Sequence, residues 1–496
     1  MAYEVVVVGG GIGGLTVAAL LAARGVKVCL LERESRVGGC AASFEKFGYS
    51  FEQGVGLYAL WQPDEIHYRV FSELPVDPPE VRPIEPAYTV RLPDHSEVAL
   101  TTDTELFEES LRRVFPECAA KAIQFYRELD SLGRALRRVV KRVPDLRTAG
   151  RIRRDSAFLP EFILAPRIVR SMRLSAGHHL AGTSMRFRRF VDAQLQALAQ
   201  SSSELCAYLH ATIALSVPRE GMFSIRGGAS TLAERLAESI RKSGGTLRLD
   251  TPVLRLAYDG AGTAVGVDLL SGETVNASRA IISNMTVWDT YGKLVGLNRT
   301  PSEIRKRLGT LRGWGAYLLF LGMDEATADR MPSDHILGLE DWQNDQDYDP
   351  EDTQLMFAAA PAWDAKAPEG KRAVTVHAFT DVEQWFTYHE DETEHERKDQ
   401  LMLEARWAQL HHVIPELGDG IEVIDTATPR TFYDLTRRKL GMVGGISQSL
   451  DVFGLNSISH LTSLPNVFMV GDTTFPGTGI AAVTLSALVV ANQLTL

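Results

Sequence analysis

Short apolar runs and helical periodicity alternate at the start of the chain. Residues 4–8 and 26–31 are apolar runs rich in β-branched side chains, a pattern typical of parallel strands buried on both faces. Between them, residues 15–24 have the composition of a helix, and Gly25 follows at the position that commonly ends one. The pattern therefore predicts a strand, a helix and a second strand in close succession.

Later segments continue this mixture of strands and helices. Residues 87–100 alternate as a hairpin does, and residues 246–283 predict several short strands separated by turn residues. Residues 230–242 keep a helical apolar stripe. Thr102 and Glu105 have the spacing of a capping box at the start of another helix. The fold class predicted is α/β, with strands from distant parts of the chain.

A glycine turn joins the first predicted strand to the first helix. In a dinucleotide-binding unit, Gly9 permits the tight turn, Gly11 lets the backbone approach a pyrophosphate, and Gly14 lets the helix pack on the sheet. Glu32 ends the second strand, where an acid accepts hydrogen bonds from ribose hydroxyls. The bland alternative is a glycine-rich turn without a ligand, but the strand–turn–helix context and the acid favour nucleotide binding.

A second glycine-rich turn lies near the C-terminus. Residues 466–472 predict a buried strand that ends in Gly471 and Asp472, and a helix is predicted after Gly477 and Gly479. Asp472 is placed to bond a sugar-alcohol hydroxyl, while the turn offers N–H groups to the electron-rich edge of a ring. The two ends of the chain are therefore expected to close one cofactor site, which makes the binding domain discontinuous.

Composition narrows the possible functions. The chain has 496 residues, 45% of them apolar, and a net charge of −11, which disfavours a nucleic-acid partner. Its four cysteines contain no CxxC, so neither zinc binding nor a disulfide framework is indicated, and a reducing cytosol is expected. Residues 5–23 and 473–496 are uncharged but interrupted by glycine or proline, so we interpret them as buried elements beside a cofactor.

Residues 134–189 are strongly basic, with fifteen Lys and Arg against three acids. Bulky apolar residues lie among them, a combination that suits a helical surface facing anionic lipid. The alternative is an ordinary solvated arginine face over a small helical domain. The first interpretation predicts a peripheral membrane association through this region.

The evidence for other catalytic groups is weak. A metal-binding motif is suggested by His389, Glu390 and His395, but histidines six residues apart do not share a helix face. The serines at 201–203 lack the nucleophile elbow of hydrolases. No metal site is predicted, no catalytic dyad is found, and the oligomeric state is left open.

Several blocks of sequence together resemble the phytoene desaturase superfamily of flavoproteins. They are the N-terminal unit with RVGG at 36–39, SIRGG at 224–228, the strands ending in IISN at 281–284, and VGDTTFPGTGIAAV at 470–483. The last block is more similar to the carotenoid isomerase and retinol saturase branch than to bacterial phytoene desaturases. The resemblance covers about half the chain and implies a Rossmann-type, glutathione-reductase-like FAD-binding domain, an α+β substrate domain and a helical membrane-facing lid.

The resemblance also implies the residues that contact FAD. Cys40 departs from the arginine common in related amine oxidases, which weakens an amine-oxidase assignment. The implied contacts are Gly9, Gly11 and Gly14 with the pyrophosphate, Glu32 with the adenosine ribose, Gly38 and Gly39 on the flavin side, Val253 with adenine through its backbone, Gly471 and Asp472 with the ribityl phosphate arm, and Gly477, Gly479 and Ile480 along the isoalloxazine.

The domain boundaries follow from the same blocks. The expected FAD-binding domain comprises residues 1–85, 218–290 and 421–496, the substrate domain 86–133 and 291–420, and the lid 134–217.

The expected function is that of an FAD-dependent oxidoreductase or isomerase acting on a long hydrophobic polyene or isoprenoid. It would be cytoplasmic and peripherally bound to membrane. One alternative is a flavin oxidase or oxygenase acting on a carotenoid end group or an amine. An alternative of another class is a prenyl-lipid escort protein without catalysis, against which the complete set of glycines with Glu32 and Asp472 argues.

Overall fold

The computed structural model describes residues 3–143, 157, 159–161, 163–343, 347–387 and 391–495. Outside these residues lie Arg151, Arg153 and Arg154 of the basic region, together with His389 and Glu390 of the candidate metal-binding motif. Among the described residues, the α-helices of six or more residues are Ile12–Ala23, Ile66–Phe71, Thr104–Val114, Ala119–Arg142, Ala165–Ser171, Met185–Ala199, Tyr208–Ser216, Gly228–Lys242, Ser302–Thr310, Glu392–Val413, Pro429–Thr436 and Ile480–Thr495, and a π-helix spans Thr290–Gly296.

In the part of the chain that the structure describes, the strands form two large sheets and two small ones. They are β1 Tyr3–Val8, β2 Val28–Leu31, β3 Ser43–Lys46, β4 Tyr49–Glu52, β5 Tyr58–Ala59, β6 Val81–Ile84, β7 Tyr88–Arg91, β8 Glu97–Leu100, β9 Met222–Ile225, β10 Thr246–Arg248, β11 Val253–Tyr258, β12 Ala264–Leu269, β13 Thr274–Ser283, β14 Gly315–Asp324, β15 His335–Leu339, β16 Gln354–Ala359, β17 Lys371–Thr380, β18 Ile421–Ala427 and β19 Val467–Met469.

The first sheet has a parallel core, in which β10, β2, β1 and β13 lie side by side and β19 pairs with β13. Strands β12 and β11 extend it as antiparallel neighbours. The helix Ile12–Ala23 packs on this sheet between Gly228–Lys242 and Ile480–Thr495. Because both faces of β1 are covered, the alternation expected of a half-exposed strand is absent from its sequence.

The second sheet has the order β18-β14-β17-β16-β15-β7-β8 and is antiparallel except where β15 meets β7. The helix Glu392–Val413 packs on one face through Leu410 and Val413. Part of the other face, including Leu337 and Met356, meets the helices that lie between residues 104 and 216. The sheet is therefore a wall with covered faces rather than an exposed surface.

The predicted hairpin at 87–100 is present as β7 and β8, but the predicted cap of the next helix is wrong. Asp103 caps it, its carboxylate accepting from the N–H groups of Glu105 and Leu106 at 2.9 and 3.1 Å. The Thr102 hydroxyl instead donates to Glu85 at 3.1 Å. Thr102 therefore has a tertiary partner that its local sequence does not reveal.

The mixed α/β fold is as predicted. Strand β18 pairs with β14 in the second sheet, although the predicted boundary at 421 assigns it to the cofactor domain. The domain boundaries otherwise stay a prediction. Among the described residues, no helix is both long enough and apolar enough to cross a bilayer.

Candidate active site

The glycine turn after β1 brings the helix Ile12–Ala23 directly against the strand. A Cβ atom at Gly14 would lie 2.0 Å from the carbonyl oxygen of Gly9, so any side chain there would push the helix away. Gly11 precedes the helix without a side-chain cap. The unpaired N–H groups and partial positive charge of this helix end are suited to an anion such as a diphosphate.

Glu32 is held against that turn. Its carboxylate accepts from the N–H of Gly10 at 2.5 Å and from the N–H of Glu34 at 2.9 Å. Burial raises the pKa of Glu32, while these backbone hydrogen bonds act in the opposite direction. The sequence prediction that the acid and the glycine turn form one unit agrees with this contact.

The two ends of the chain meet at this point. A Cβ atom at Gly13 would lie 3.4 Å from the Cα of Gly471, which follows β19. Asn284 lies between them, because its side-chain oxygen would be 2.6 Å from that same Cβ and 3.2 Å from a Cβ at Gly471. Sequence reasoning missed Asn284, although it ends the IISN block. The sequence did carry one signal for it, because Asn284 directly follows a predicted strand, where ligand-binding residues of a parallel sheet are usually found.

The RVGG segment passes beside the first turn. Gly38 donates its N–H to the carbonyl of Gly10 at 2.9 Å, and a Cβ at Gly39 would lie 3.4 Å from the Cα of Gly11. Cys40 follows, and burial raises the pKa of its thiol. A thiol with a raised pKa is a poor nucleophile at neutral pH, which argues against a covalent bond to the flavin.

Asp472 forms an ion pair that sequence reasoning also missed. Arg438 donates to the Asp472 carboxylate at 2.8 Å and to the carbonyl oxygen of Met442 at 2.7 Å. Both charged side chains are largely buried and line the same cavity as Cys40. The site therefore presents a fixed positive charge beside the acid expected to bind the ribityl arm.

A cavity of about 1220 Å³ runs from these turns into the interior. At its other end lie Lys141 and the helix Ala165–Ser171, and between the two ends the walls are mainly aliphatic and aromatic. Side chains from the helix Tyr208–Ser216 and from the second sheet complete these walls. Such a shape, mostly apolar with a few polar groups, is typical of a site for an apolar ligand.

The predicted FAD-binding residues fall into three groups by position, and their contacts with FAD stay predictions. Those that line the cavity are Gly11, Gly38, Gly471, Asp472, Gly479 and Ile480. A second group does not line the cavity but supports its wall. It comprises Gly9, Gly14, Glu32 and Gly39, through the contacts described above, and Gly477, which packs against Gln448. Val253 begins β11 and is not among the lining residues.

The shape and the polar groups of the site fit FAD. The glycine turn packs so closely against Asn284 that a Cβ atom at Gly11 would lie 2.7 Å from the Asn284 amide nitrogen. The side-chain oxygen of Gln200 is buried beside the cavity without a hydrogen-bond partner among the described residues. Within the described part of the chain, no group of three or more His, Cys, Asp or Glu could hold a metal ion.

Comparisons with known proteins agree with this geometry. A family model described as flavin containing amine oxidoreductase matches residues 12–495. Similar curated proteins include all-trans-retinol 13,14-reductase of Danio rerio (24% identical, covering 99% of this chain and 87% of that protein), prolycopene isomerase of Daucus carota (24%, 99% and 80%) and zeta-carotene-forming phytoene desaturase of Myxococcus xanthus (27%, 99% and 93%).

Solved structures show the same fold at low identity. An oxidoreductase from Methanosarcina mazei is 15% identical, with a TM-score of 0.62 over 98% of this chain and 99% of that one. Putrescine oxidase bound to putrescine is 15% identical, with a TM-score of 0.64 over 99% of both chains. Because the family model spans nearly the whole chain, the protein belongs to the flavin-containing amine oxidoreductase family and is an FAD-dependent enzyme.

Proposed function

We propose that the protein is an FAD-dependent oxidoreductase or isomerase of long polyenes or isoprenoids. The observation that carries this proposal is the cavity, which leads from the predicted flavin side to the helix Ala165–Ser171 between mainly apolar walls. Three relatives are named for retinol, prolycopene and phytoene. A hydrocarbon chain gains about 25 cal/mol for each Å² removed from water, so such walls favour these ligands.

Bound flavin supplies hydride and electron exchange with the substrate, and the protein arranges the surroundings for that exchange. The glycine turn with its helix end holds a diphosphate. Asp472 offers an acceptor to sugar hydroxyls, and its partner Arg438 places positive charge in the same wall. The apolar walls exclude water and keep an extended chain in one orientation.

The test incubates photoreduced and oxidised holoenzyme separately with prolycopene, phytoene and retinol in liposomes, followed by separation of the products. Polyene isomers formed only with reduced flavin support an isomerase, whereas altered numbers of double bonds support a desaturase or saturase. Peroxide release on addition of an amine, with no polyene product, would favour the oxidase alternative. Purified protein that stays colourless after FAD is added would favour the escort alternative.

We further propose that the cavity opens toward a membrane surface at the helix Ala165–Ser171. Val169 and Met172 line the cavity and are also 67% and 44% exposed. Apolar side chains that are exposed at the mouth of an apolar cavity mark a site for lipid or a partner. A lipid-soluble substrate could then enter without crossing water.

The charges around this mouth support docking to anionic lipid. Arg167, Arg170 and Arg173 are exposed and form no ion pair among the described residues. Most other described basic residues of 134–189 do form ion pairs. These pairs are Arg137 with Glu220, Arg138 and Arg142 with Glu161, Lys141 with Glu65, Arg186 with Asp94, Arg188 with Glu204 and Arg189 with Asp192. A cytoplasmic location stays a prediction.

The double substitution Arg167→Glu/Arg170→Glu is expected to weaken binding to liposomes that contain anionic lipid by at least tenfold. Each basic residue near such a surface contributes about 1 kcal/mol, and reversal adds repulsion. Co-sedimentation at low and high salt measures the change. Arg305→Glu/Lys306→Glu, which reverses two exposed charges on another helix, is the matched control. Equal loss in both variants, or no loss in the first, would contradict docking at this helix.

A further inference from the structure

One polar side chain that lines the cavity has no hydrogen-bond partner among the described residues. His210 lies on the helix Tyr208–Ser216 and lines the cavity. It makes no hydrogen bond to any described residue, and its nearest aromatic neighbour is Phe453, with ring centroids 6.4 Å apart. Leu209 and Ile213 of the same helix, and Val217 directly after it, also line the cavity. The imidazole therefore lies among apolar residues of the wall.

Several other polar side chains of the wall are hydrogen-bonded within the protein. Tyr58 donates to Glu52, which also accepts from Lys366 at 2.5 Å. Tyr88 donates to Gln194 at 3.3 Å. Each of these groups has a structural reason to be polar, whereas His210 has none among the described residues.

Gln354, another polar residue of the wall, is also hydrogen-bonded within the protein. Its side-chain oxygen accepts from Tyr348, and its amide donates to the carbonyl of Ala193 at 3.5 Å. His377 also lines the cavity, and its Nε2 likewise has no hydrogen-bond partner among the described residues, but that atom is fully enclosed, whereas His210 is partly exposed. His210 is thus the wall residue best placed to bond something inside the cavity.

The protonation state of His210 limits what it can bind. Burial lowers its pKa to about 4, so the ring is uncharged at neutral pH. A neutral imidazole has one N–H donor and one acceptor nitrogen. It suits an uncharged group that can both donate and accept, and it gives no charge to balance a carboxylate or a phosphate.

We propose that His210 hydrogen-bonds a hydroxyl group of the substrate, so that polyene or isoprenoid alcohols bind in preference to hydrocarbons. This inference rests on the proposed function, since it names the class of polyene that the same cavity takes. Buried polar groups are nearly always paired, and a site that pairs one with a ligand hydroxyl discriminates against the ligand that lacks it. His210 would thereby fix which end of a long chain enters first.

The test is a binding titration of the FAD-loaded enzyme, which needs no turnover. Retinol and the hydrocarbon with the same skeleton but no hydroxyl are added separately, and the perturbation of the flavin absorbance gives each dissociation constant. The wild-type protein is expected to prefer the alcohol by about tenfold, the worth of one buried hydrogen bond. His210→Phe should bind both ligands with equal affinity, while His412→Phe, an exposed control, should keep the preference.

Each other result has a distinct meaning. Equal affinity of the wild-type protein for both ligands would overturn the role of His210 and leave the polyene proposal intact. Binding of neither ligand would remove the polyene proposal and this inference with it. A loss of FAD from His210→Phe would assign the residue to the cofactor and overturn its role with substrate. Tighter binding of retinoic acid than of retinol would overturn it as well.

Discussion

Gly14→Ala is expected to give a protein that no longer binds FAD, with an apparent dissociation constant raised at least a hundredfold. The added methyl group would lie 2.0 Å from the carbonyl oxygen of Gly9 and 3.1 Å from the Cβ of Asn284. The first neighbour is a backbone atom and the second is a Cβ atom, so neither can move away by rotation of a side chain. The helix must therefore move away from the turn. Absorbance of the bound flavin after purification and a titration with FAD measure the effect.

The control for this substitution is Gly309→Ala in the helix Ser302–Thr310. A Cβ there meets nothing within 4 Å, and the backbone needs no left-handed conformation. Alanine within a helix is favoured over glycine by about 1 kcal/mol, so this control should bind FAD normally and unfold at an equal or higher temperature. Normal FAD binding by Gly14→Ala would show that the turn can relax and that close packing there is not required.

The parts of the site that sequence predicts are those that local pattern encodes. A strand, a glycine turn, a helix and an acid recur at fixed spacing because each depends on its chain neighbours, so the Gly9–Gly14 turn and Glu32 are recognisable without a structure. Asn284 and Arg438 act through residues far away in sequence, Gly13 in one case and Asp472 in the other. No local spacing specifies such a pair, so these residues emerge only from the fold.

The basic region shows the same limit. Its composition predicts an excess of positive charge but does not tell which charges are neutralised, because their partners lie elsewhere in the chain. Arg137 pairs with Glu220, and Lys141 pairs with Glu65 across the cavity mouth. Among the described residues of the region, Arg134, Arg167, Arg170 and Arg173 form no ion pair, and the last three cluster on and beside one short helix. The structure therefore limits the docking proposal to the helix Ala165–Ser171 and its neighbours, whereas the sequence alone indicates only the whole basic region.

The cavity depends on how the two halves of the molecule are joined, and one buried cluster of charges joins them. Glu52 at the end of β4 accepts from Lys366 at 2.5 Å, and Lys366 also lies 3.3 Å from Asp364. Asp364 in turn accepts from the N–H of Gly227, at the start of the helix Gly228–Lys242. The cluster thus ties the loop before β17 in the second sheet to a helix of the first.

Lys366→Met is expected to lower the free energy of unfolding by about 3–5 kcal/mol, because it leaves two carboxylates buried without a counter-charge. The side chains of Lys366, Asp364 and Glu52 are only 5%, 7% and 13% exposed, so water cannot replace the lost partner. Denaturant unfolding of the holoenzyme measures the loss. Adding Glu52→Gln to Lys366→Met should recover part of it, since one of the two uncompensated charges is then gone.

Lys371→Met is the matched control, since Lys371 pairs with Asp324 at 2.8 Å on the surface, where both side chains are at least one-third exposed. A pair in water contributes at most about 1 kcal/mol, so this variant should unfold almost as the wild-type protein does. If Lys366→Met were no more destabilising than the control, the buried charges would not hold the two sheets together. The walls of the cavity would then depend on apolar packing alone. In that case His210 and the helix Ala165–Ser171 would keep their positions in the Lys366→Met variant.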